Sequence, residues 1–333
     1  MLKKIGVVYT PYRLADFVAE LLHLETAKDS FEINTILDPA CGECALLSAA
    51  SKIFGGDVSY KGIDVDMDAI LASSDEFNIE HNDAILPKNR KTETAEYWVK
   101  KMEPISAIIA NPPWSSEKIY TRVELQKAGF TLTTGQYDMY VLFIELAFNL
   151  ITDGGYFAFI IPDSLFDAQN EGLRRFLAEN TEIRVIARLG EKIFDEVNRA
   201  TTVIVCKKIK PNKKSRTKCF RLSTNERRVF LSSELPLIKF YNAGYHEVLQ
   251  SRFASNVACN FDIDVHSDEE KLLKQISKNT IDWGVLFNFG RGVEISKTGK
   301  IVFCPFCSFG QGYKKSQLVE GEKSCSNCSE RSC

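Results

Sequence analysis

Short apolar segments alternate with amphipathic helical patterns through the first two thirds of the chain, and this alternation constrains the fold more than any other feature. Continuous apolar runs at residues 105–110 and 156–161 are typical of buried strands. The pattern predicts strands at 33–37, 60–65, 77–79, 105–110, 156–161, 183–189 and 201–207, a first helix beginning at Pro11, and helices at 45–54, 137–152 and 171–180. Strands that alternate with helices indicate βαβ units, so we expect an α/β fold with a mostly parallel sheet covered on both faces.

Composition places the chain among ordinary globular proteins. It has 333 residues, of which 44% are hydrophobic and 26% charged, so one or two domains are expected and disorder or coiled coil is excluded. No apolar run reaches the roughly 18 residues that a membrane span needs. The N-terminal residues lack the pattern of a signal peptide. We therefore expect a cytoplasmic protein.

The charge is distributed unevenly along the chain. The net charge of −2 combines −11 in residues 1–206 with +9 in residues 207–333. A basic half suggests a nucleic-acid contact surface, although uneven surface charge without a partner is an equally good explanation. Residues 207–218 hold seven basic residues and no acid. We expect a loop or linker there, which either contacts phosphates or is simply solvated.

Polar and small residues follow the predicted strands, where parallel sheets bind their ligands. Residues 38–42, Asp-Pro-Ala-Cys-Gly, let the backbone approach a ligand and leave the next helix N-terminus open. Asp64 ends the second strand, where a carboxylate can accept hydrogen bonds from both ribose hydroxyls. Asp83, after the third strand, could accept one from an exocyclic amino group. The alternative for residues 38–42 is a tight turn between strand and helix, and the alternative for Asp64 is an ordinary solvated loop acid.

Asn111-Pro112-Pro113-Trp114 is the most specific motif in this half. Two prolines fix the backbone and remove two N–H donors. The Asn111 amide oxygen and the Pro112 carbonyl can then accept both N–H bonds of a planar aromatic amine, while Trp114 offers a stacking face. The amine lone pair is thereby directed at an electrophile. The alternative is a strand-terminating turn with a buried tryptophan.

These motifs, in this order, resemble those of the gamma-class N6-adenine DNA methyltransferases, the TaqI-like group, over roughly residues 5–207. The resemblance implies a Rossmann-like, seven-stranded sheet of the class I methyltransferase type, with an antiparallel last strand, and S-adenosylmethionine as cofactor. It also implies double-stranded DNA as the partner, from which the target adenine is flipped out.

The resemblance also assigns roles to residues. Tyr9, Thr10 and Pro11 match the segment that closes over the methionine part of the cofactor. The remaining cofactor residues that it implies are Asp38, Ala40 and Gly42 in the loop, Asp64 for the ribose, Asp83 for the adenine amino group, and Asn111. The catalytic set that it implies is Asn111, Pro112, Pro113 and Trp114, together with Phe194, which would stack on the other face of the flipped base.

One position departs from the family pattern. The cofactor loop of the family usually carries a second glycine, and Cys44 stands in its place. A side chain at this position is expected to crowd the cofactor and to weaken its binding.

Five of the ten cysteines lie in the last thirty residues. Cys304 and Cys307 form one C-x-x-C pair and Cys325 and Cys328 another, with 17 residues between the pairs. This spacing predicts a closed, structural Zn²⁺ site, a zinc ribbon, rather than four unrelated thiols. Residues 289–295 resemble the start of a target-recognition domain, but few residues follow. A specificity subunit or a second copy of the chain is therefore expected to contribute to sequence choice.

The predicted organisation has three parts. Residues 1–210 form the methyltransferase catalytic domain, 211–282 a linker and partial DNA-recognition region, and 283–333 the zinc-ribbon start of a target-recognition region. The predicted function is adenine-N6 methylation of DNA, as the modification component of a restriction–modification or phage-defence system. The alternatives are a non-catalytic DNA-binding subunit and an enzyme that methylates protein glutamine or RNA guanine. We see no endonuclease motif and expect no cleavage.

Overall fold

The computed structural model describes residues 9–73, 76–115, 119–133, 137–194, 199–278 and 280–281, with short stretches at 301–303, 306–307, 310–312, 318–319, 322–324 and 331–332. The chain divides into two compact units, Met1–Leu272 and Leu273–Cys333. Among the described residues, no helix combines the length and apolar character needed to cross a bilayer.

The first unit is built on one mixed sheet. Its strands are β1 (Thr35–Asp38), β2 (Ser59–Asp64), β3 (Asn78–His81), β4 (Ile105–Ala110), β5 (Ile151–Pro162), β6 (Glu182–Gly190), β7 (Thr201–Lys207), β8 (Arg216–Arg221) and β9 (His246–Leu249). They lie in the order β3-β2-β1-β4-β5-β7-β6-β8-β9. The strands β3, β2, β1, β4 and β5 pair in parallel, and β7 runs antiparallel between β5 and β6, as the resemblance implied.

The expected count of seven strands was wrong, because two more strands extend the sheet. β8 pairs in parallel with β6, and β9 pairs antiparallel with β8. Basic side chains concealed β8 in the sequence. Its Thr217, Cys219 and Phe220 are buried, while Lys218 between them pairs with Glu25, and arginines occupy its two exposed ends. The region 211–282 was expected to be a linker and partial recognition region. Its residues up to Leu272 belong to the same compact unit as the sheet.

Helices cover both faces of this sheet. The helices of the first unit are α1 (Tyr12–Lys28), α2 (Ala45–Phe54), α3 (Met67–Ala72), α4 (Thr94–Lys101), α5 (Arg122–Lys127), α6 (Met139–Leu150), α7 (Glu171–Asn180), α8 (Thr224–Ser232), α9 (Leu237–Gly244) and α10 (Ser251–Ser255). A further helix, α11 (Glu269–Ser277), spans the boundary between the two units. Strand residues alternate between two apolar layers: Ile108 packs with Trp98 of α4, and its neighbour Ile109 packs with Phe17 of α1. Burial on both faces explains why the central strands are continuously apolar.

The second unit contains short antiparallel strands. β10 (Ile301–Phe303) pairs with β11 (Gly310–Gly312), and β12 (Leu318–Val319), β13 (Glu322–Ser324) and β14 (Arg331–Ser332) form a second small sheet. Among the four predicted zinc ligands, only Cys307 belongs to the described residues.

Candidate functional site

A cavity of about 250 Å³ opens at the carboxyl ends of β1, β2, β3 and β4. Parallel strands end together at this edge, which is why motifs far apart in sequence converge there. The predicted site residues that line the cavity are Tyr9, Thr10, Asp38, Ala40, Gly42, Asp64, Asp83, Asn111, Pro112, Pro113 and Trp114. Two predicted residues are not among its lining residues: Pro11, which caps the N-terminus of α1, and Phe194.

The loop after β1 forms the floor of this cavity. Asp38 is 1% exposed, and its Oδ1 accepts a hydrogen bond from the Ala40 amide at 3.0 Å. Burial raises the pKa of Asp38 well above the ordinary value of an aspartate, because a charged carboxylate is poorly solvated there. The bond to Ala40 fixes the start of the loop.

Gly42 and Asp64 join this loop to the second strand. The Gly42 amide donates to Asp64 Oδ2 at 2.7 Å, and the Asp66 amide donates to Asp64 Oδ1 at 2.8 Å. Gly42 has a φ of +49°, a conformation that glycine adopts readily. These two amides fix the orientation of the carboxylate that the sequence predicted for a ribose.

Cys44 does not crowd the cavity, contrary to the sequence-based expectation. Its φ of +64° explains why glycine is usual at this position. The side chain is 1% exposed and packs into the core on the α1 and α2 side of the sheet. The cavity is lined by its neighbours Glu43 and Ala45, but Cys44 is not among the lining residues.

Asp83 is held by three hydrogen-bond donors. The amides of Ile85 and Leu86 donate to its Oδ1 at 2.8 and 3.0 Å, and the Tyr120 hydroxyl donates to its Oδ2 at 2.8 Å. Burial and the adjacent Asp83 charge raise the pKa of Tyr120 above the ordinary value for a tyrosine. The phenol therefore stays a donor. Tyr120 lines the cavity and was missed from the sequence, where no local pattern distinguishes it.

The Asn111-Pro112-Pro113-Trp114 motif is joined to the N-terminal segment by a hydrogen bond. Asn111 Nδ2 donates to Thr10 Oγ1 at 3.0 Å. The Trp114 indole N–H donates to the Ile160 carbonyl at 3.3 Å, and Arg199 Nη1 donates to the Trp114 carbonyl at 2.5 Å. Arg199 is a second residue that sequence reasoning missed, since its contact spans 85 positions.

The rings of Trp114 and Phe194 lie against each other. Their centroids are 5.3 Å apart and their planes are inclined at 86°, an edge-to-face contact. Both rings are buried, with 8% of Trp114 and 3% of Phe194 exposed. In this conformation no base fits between them, so the predicted stacking role requires the two rings to separate.

The predicted zinc site lies largely outside the described residues. This holds for Cys304, Cys325 and Cys328, and for the segment 289–295, whereas Cys307 is described and exposed. Within the described ranges, no group of three or more potential metal-ligating side chains occurs. The zinc ribbon therefore stays a prediction.

The fold and the cavity define the class of protein: a class I S-adenosylmethionine-dependent methyltransferase-like α/β fold with a mixed sheet. Residues 52–194 match the family model described as Eco57I restriction-modification methylase. This match confirms the resemblance to restriction–modification methyltransferases that the motifs indicated.

Comparisons with individual proteins agree. The chain is 30% identical over 213 residues to the type II methyltransferase M.BanIII of Aneurinibacillus aneurinilyticus, covering 58% of this chain and 37% of that protein. It is 26% identical over 251 residues to the type II methyltransferase M.VspI of a Vibrio species, covering 71% and 57%. The chain thus spans between a third and three fifths of the length of these relatives.

A solved structure is also similar. A Listeria monocytogenes protein assigned to the class I S-adenosylmethionine-dependent methyltransferases superposes with a TM-score of 0.52 at 26% identity. The similarity covers 70% of this chain and 71% of that one.

Proposed function

We propose that this chain is a DNA methyltransferase that transfers a methyl group from S-adenosylmethionine to N6 of an adenine flipped out of duplex DNA. It would serve as the modification component of a restriction–modification or phage-defence system. One observation carries the proposal: a single cavity is lined by the Asn111-Pro112-Pro113-Trp114 motif together with the two carboxylates Asp64 and Asp83.

The residues present fit S-adenosylmethionine. Asp64 would accept the ribose hydroxyls, and Asp83 would accept the adenine amino group beside the Tyr120 hydroxyl. Gly42 leaves the loop open, since nothing lies within 4 Å of where a Cβ at that position would stand. Tyr9 and Thr10, which also line the cavity, would hold the methionine part. The cofactor, when bound, supplies an electrophilic methyl group.

The catalytic motif would orient the target amine. The Asn111 amide nitrogen donates a hydrogen bond to Thr10. This bond fixes the orientation of the amide, with its nitrogen towards Thr10. The Asn111 oxygen and the Pro112 carbonyl then accept the two N–H bonds of the target amine. Proline has no N–H, so neither Pro112 nor Pro113 competes as a donor. The amine needs no strong base, because its proton becomes acidic only after methylation.

A flipped adenine would enter beside Trp114, after its ring separates from that of Phe194. Flipping costs a few kcal/mol, and stacking on an aromatic ring returns about 1–3 kcal/mol per contact. The indole N–H bond to Ile160 and the Arg199 bond to the Trp114 carbonyl hold this side of the site. Phe194 would provide the opposite face.

Double-stranded DNA is the proposed partner, with a specificity subunit or a second copy of the chain completing sequence recognition. The excess of basic residues after residue 206 supports contacts with phosphates. The four cysteines Cys304, Cys307, Cys325 and Cys328 would hold a structural Zn²⁺ in the second unit.

Transfer of a labelled methyl group from S-adenosylmethionine to unmethylated DNA tests this proposal. Asn111→Ala should lower the transfer rate by about 100-fold or more, since it removes an acceptor aimed at the reacting amine. Asn242→Ala, at an exposed position of α9, is the matched control and should transfer at the unmodified rate. Equal rates for the two variants would contradict the proposed role of Asn111.

A further inference from the structure

Two cysteines close the turn that leads into α2. Cys41 and Cys44 form a C-x-x-C pair, and the Cys44 amide donates to the Cys41 carbonyl at 2.7 Å across the turn. A hydrogen-bonded turn of four residues brings its end Cα atoms within about 7 Å. Disulfides join residues whose Cα atoms are about 4.4–6.8 Å apart. The two cysteines are therefore near enough for a disulfide to form with a local adjustment of the turn.

Each of the two thiols also shifts the pKa of the other. A hydrogen bond from the Cys41 thiol stabilises the thiolate of Cys44 and lowers the pKa of Cys44, and the same interaction raises the pKa of Cys41. Cys44 further occupies the N-cap of α2, where the helix dipole favours negative charge. A thiolate is the reactive form of cysteine, so the pair holds a nucleophile beside a second thiol.

The pair is accessible from one side only. Cys41 lines the cofactor cavity and is 6% exposed, whereas Cys44 lies behind it. A Cβ at Gly62 of β2 would stand 2.7 Å from the Cys41 sulfur, so this glycine leaves the space that the sulfur occupies. A small oxidant would therefore reach Cys41 through this cavity, and a bound cofactor would block its path.

The pair is also coupled to the ribose-binding position. Gly42 lies between the two cysteines, and its amide donates to Asp64. A covalent bond between Cys41 and Cys44 changes the turn that holds this amide. Oxidation of the pair therefore disturbs the position of the Asp64 carboxylate, which is proposed to bind the cofactor.

We propose that Cys41 and Cys44 are a site of reversible oxidation, at which hydrogen peroxide forms a disulfide that weakens cofactor binding. The Cys41 thiol, which lines the cavity, gives its proton to the Cys44 thiolate as its sulfur attacks one oxygen of hydrogen peroxide. The O–O bond breaks, and the departing hydroxide takes a proton from solvent to become water. The Cys44 sulfur then attacks the Cys41 sulfenic acid, the S–S bond forms, the Cys44 proton joins the departing hydroxide, and a second water leaves. Two thiols are oxidised by two electrons and one peroxide is reduced to two waters.

Peptide mapping of the full chain tests the disulfide. Trypsin cleaves after Lys28 and Lys52, and residues 29–52 contain no other lysine or arginine and only these two cysteines. After treatment with hydrogen peroxide this peptide should lose two hydrogen atoms and resist alkylation, and dithiothreitol should reverse both changes. Pre-incubation with S-adenosylmethionine should protect it. Two free thiols in this peptide, while Cys307 is oxidised, would overturn the proposal.

Cofactor affinity tests the consequence, which rests on the proposed function. Peroxide should weaken S-adenosylmethionine binding by about tenfold or more in the natural chain and in Cys333→Ser, a control that removes a cysteine outside the loop. In the Cys44→Gly variant, peroxide should leave the affinity for S-adenosylmethionine unchanged, because no disulfide can form in this loop. A disulfide that leaves the affinity unchanged would refute the coupling. Failure of the reduced protein to bind the cofactor would instead count against the proposed function, because the peptide mass reports the disulfide independently.

Discussion

The Asn111 amide nitrogen donates a hydrogen bond to the Thr10 hydroxyl at 3.0 Å, joining segments that are 101 residues apart in sequence. One segment precedes α1 and the other follows β4. The bond fixes which branch of the Asn111 amide carries the nitrogen and which carries the oxygen. The N-terminal segment, which was expected to close over the cofactor, therefore also orients the Asn111 amide.

Thr10→Val removes this hydrogen bond and keeps the side-chain shape. We expect kcat for DNA methylation to fall about tenfold, since the amide loses the partner that orients it. Thr10→Ser retains the hydroxyl and should stay within about twofold of the natural chain. Steady-state kinetics on both variants measures this. A Thr10→Val variant with the kcat of the natural chain would show that Thr10 does not position Asn111.

Arg199 is expected to hold the catalytic loop for its DNA substrate. Its guanidinium binds the Trp114 carbonyl, so Arg199→Met should lower kcat/KM for DNA by about tenfold, with cofactor affinity unchanged. Arg175→Met, which removes an exposed arginine of α7 paired with Glu171, is the matched control. If both variants lose activity equally, the contact with Trp114 has no special role.

Asp38 should make the stability of the fold depend on pH. Burial raises the pKa of this carboxyl in the folded chain, so the folded state binds its proton more tightly than the unfolded state. Stability is then lost as pH rises from the unfolded pKa through the folded one. Asp38→Asn should remove this loss of stability, and the amide oxygen of the asparagine can still accept the hydrogen bond from the Ala40 amide.

Thermal unfolding between pH 4 and pH 8 measures the effect. The midpoint of Asp38→Asn should exceed that of the natural chain by about 3 °C or more at pH 8, and the difference should shrink towards pH 4. A difference that grows as pH falls would show that the folded state prefers the charged carboxylate.

The apolar pattern predicted the central elements well. The bounds 105–110, 171–180 and 201–207 coincide with β4, α7 and β7, because burial on both faces of a strand, or on one face of a helix, leaves a regular pattern in the sequence. The convergence of the motifs in one cavity also followed from the sequence, since parallel strands end at the same edge.

Other features depend on contacts that no local pattern encodes. Tyr120 reaches Asp83 and Arg199 reaches Trp114 across long sequence separations. The basic residues of β8 concealed a strand whose remaining side chains are buried. The direction of the Cys44 side chain depends on a positive φ, which sends a residue expected to face the cofactor into the core.

The four tail cysteines should bind one Zn²⁺ per chain. Elemental analysis of the purified protein measures this, and the joint substitution of Cys304 and Cys325 by serine should abolish the metal, because each C-x-x-C pair then keeps one thiolate. Removal of zinc by a chelator should destabilise the second unit. A metal content unaffected by the two substitutions would exclude the predicted ligand set.

The identity of the methylated product tests the central claim most directly. DNA incubated with the chain and isotopically labelled S-adenosylmethionine is digested to nucleosides and analysed by mass spectrometry. We expect the label in N6-methyl-2′-deoxyadenosine, and its loss with Asn111→Ala. Label in a different nucleoside, or in RNA or protein glutamine but not in DNA, would contradict the proposed reaction.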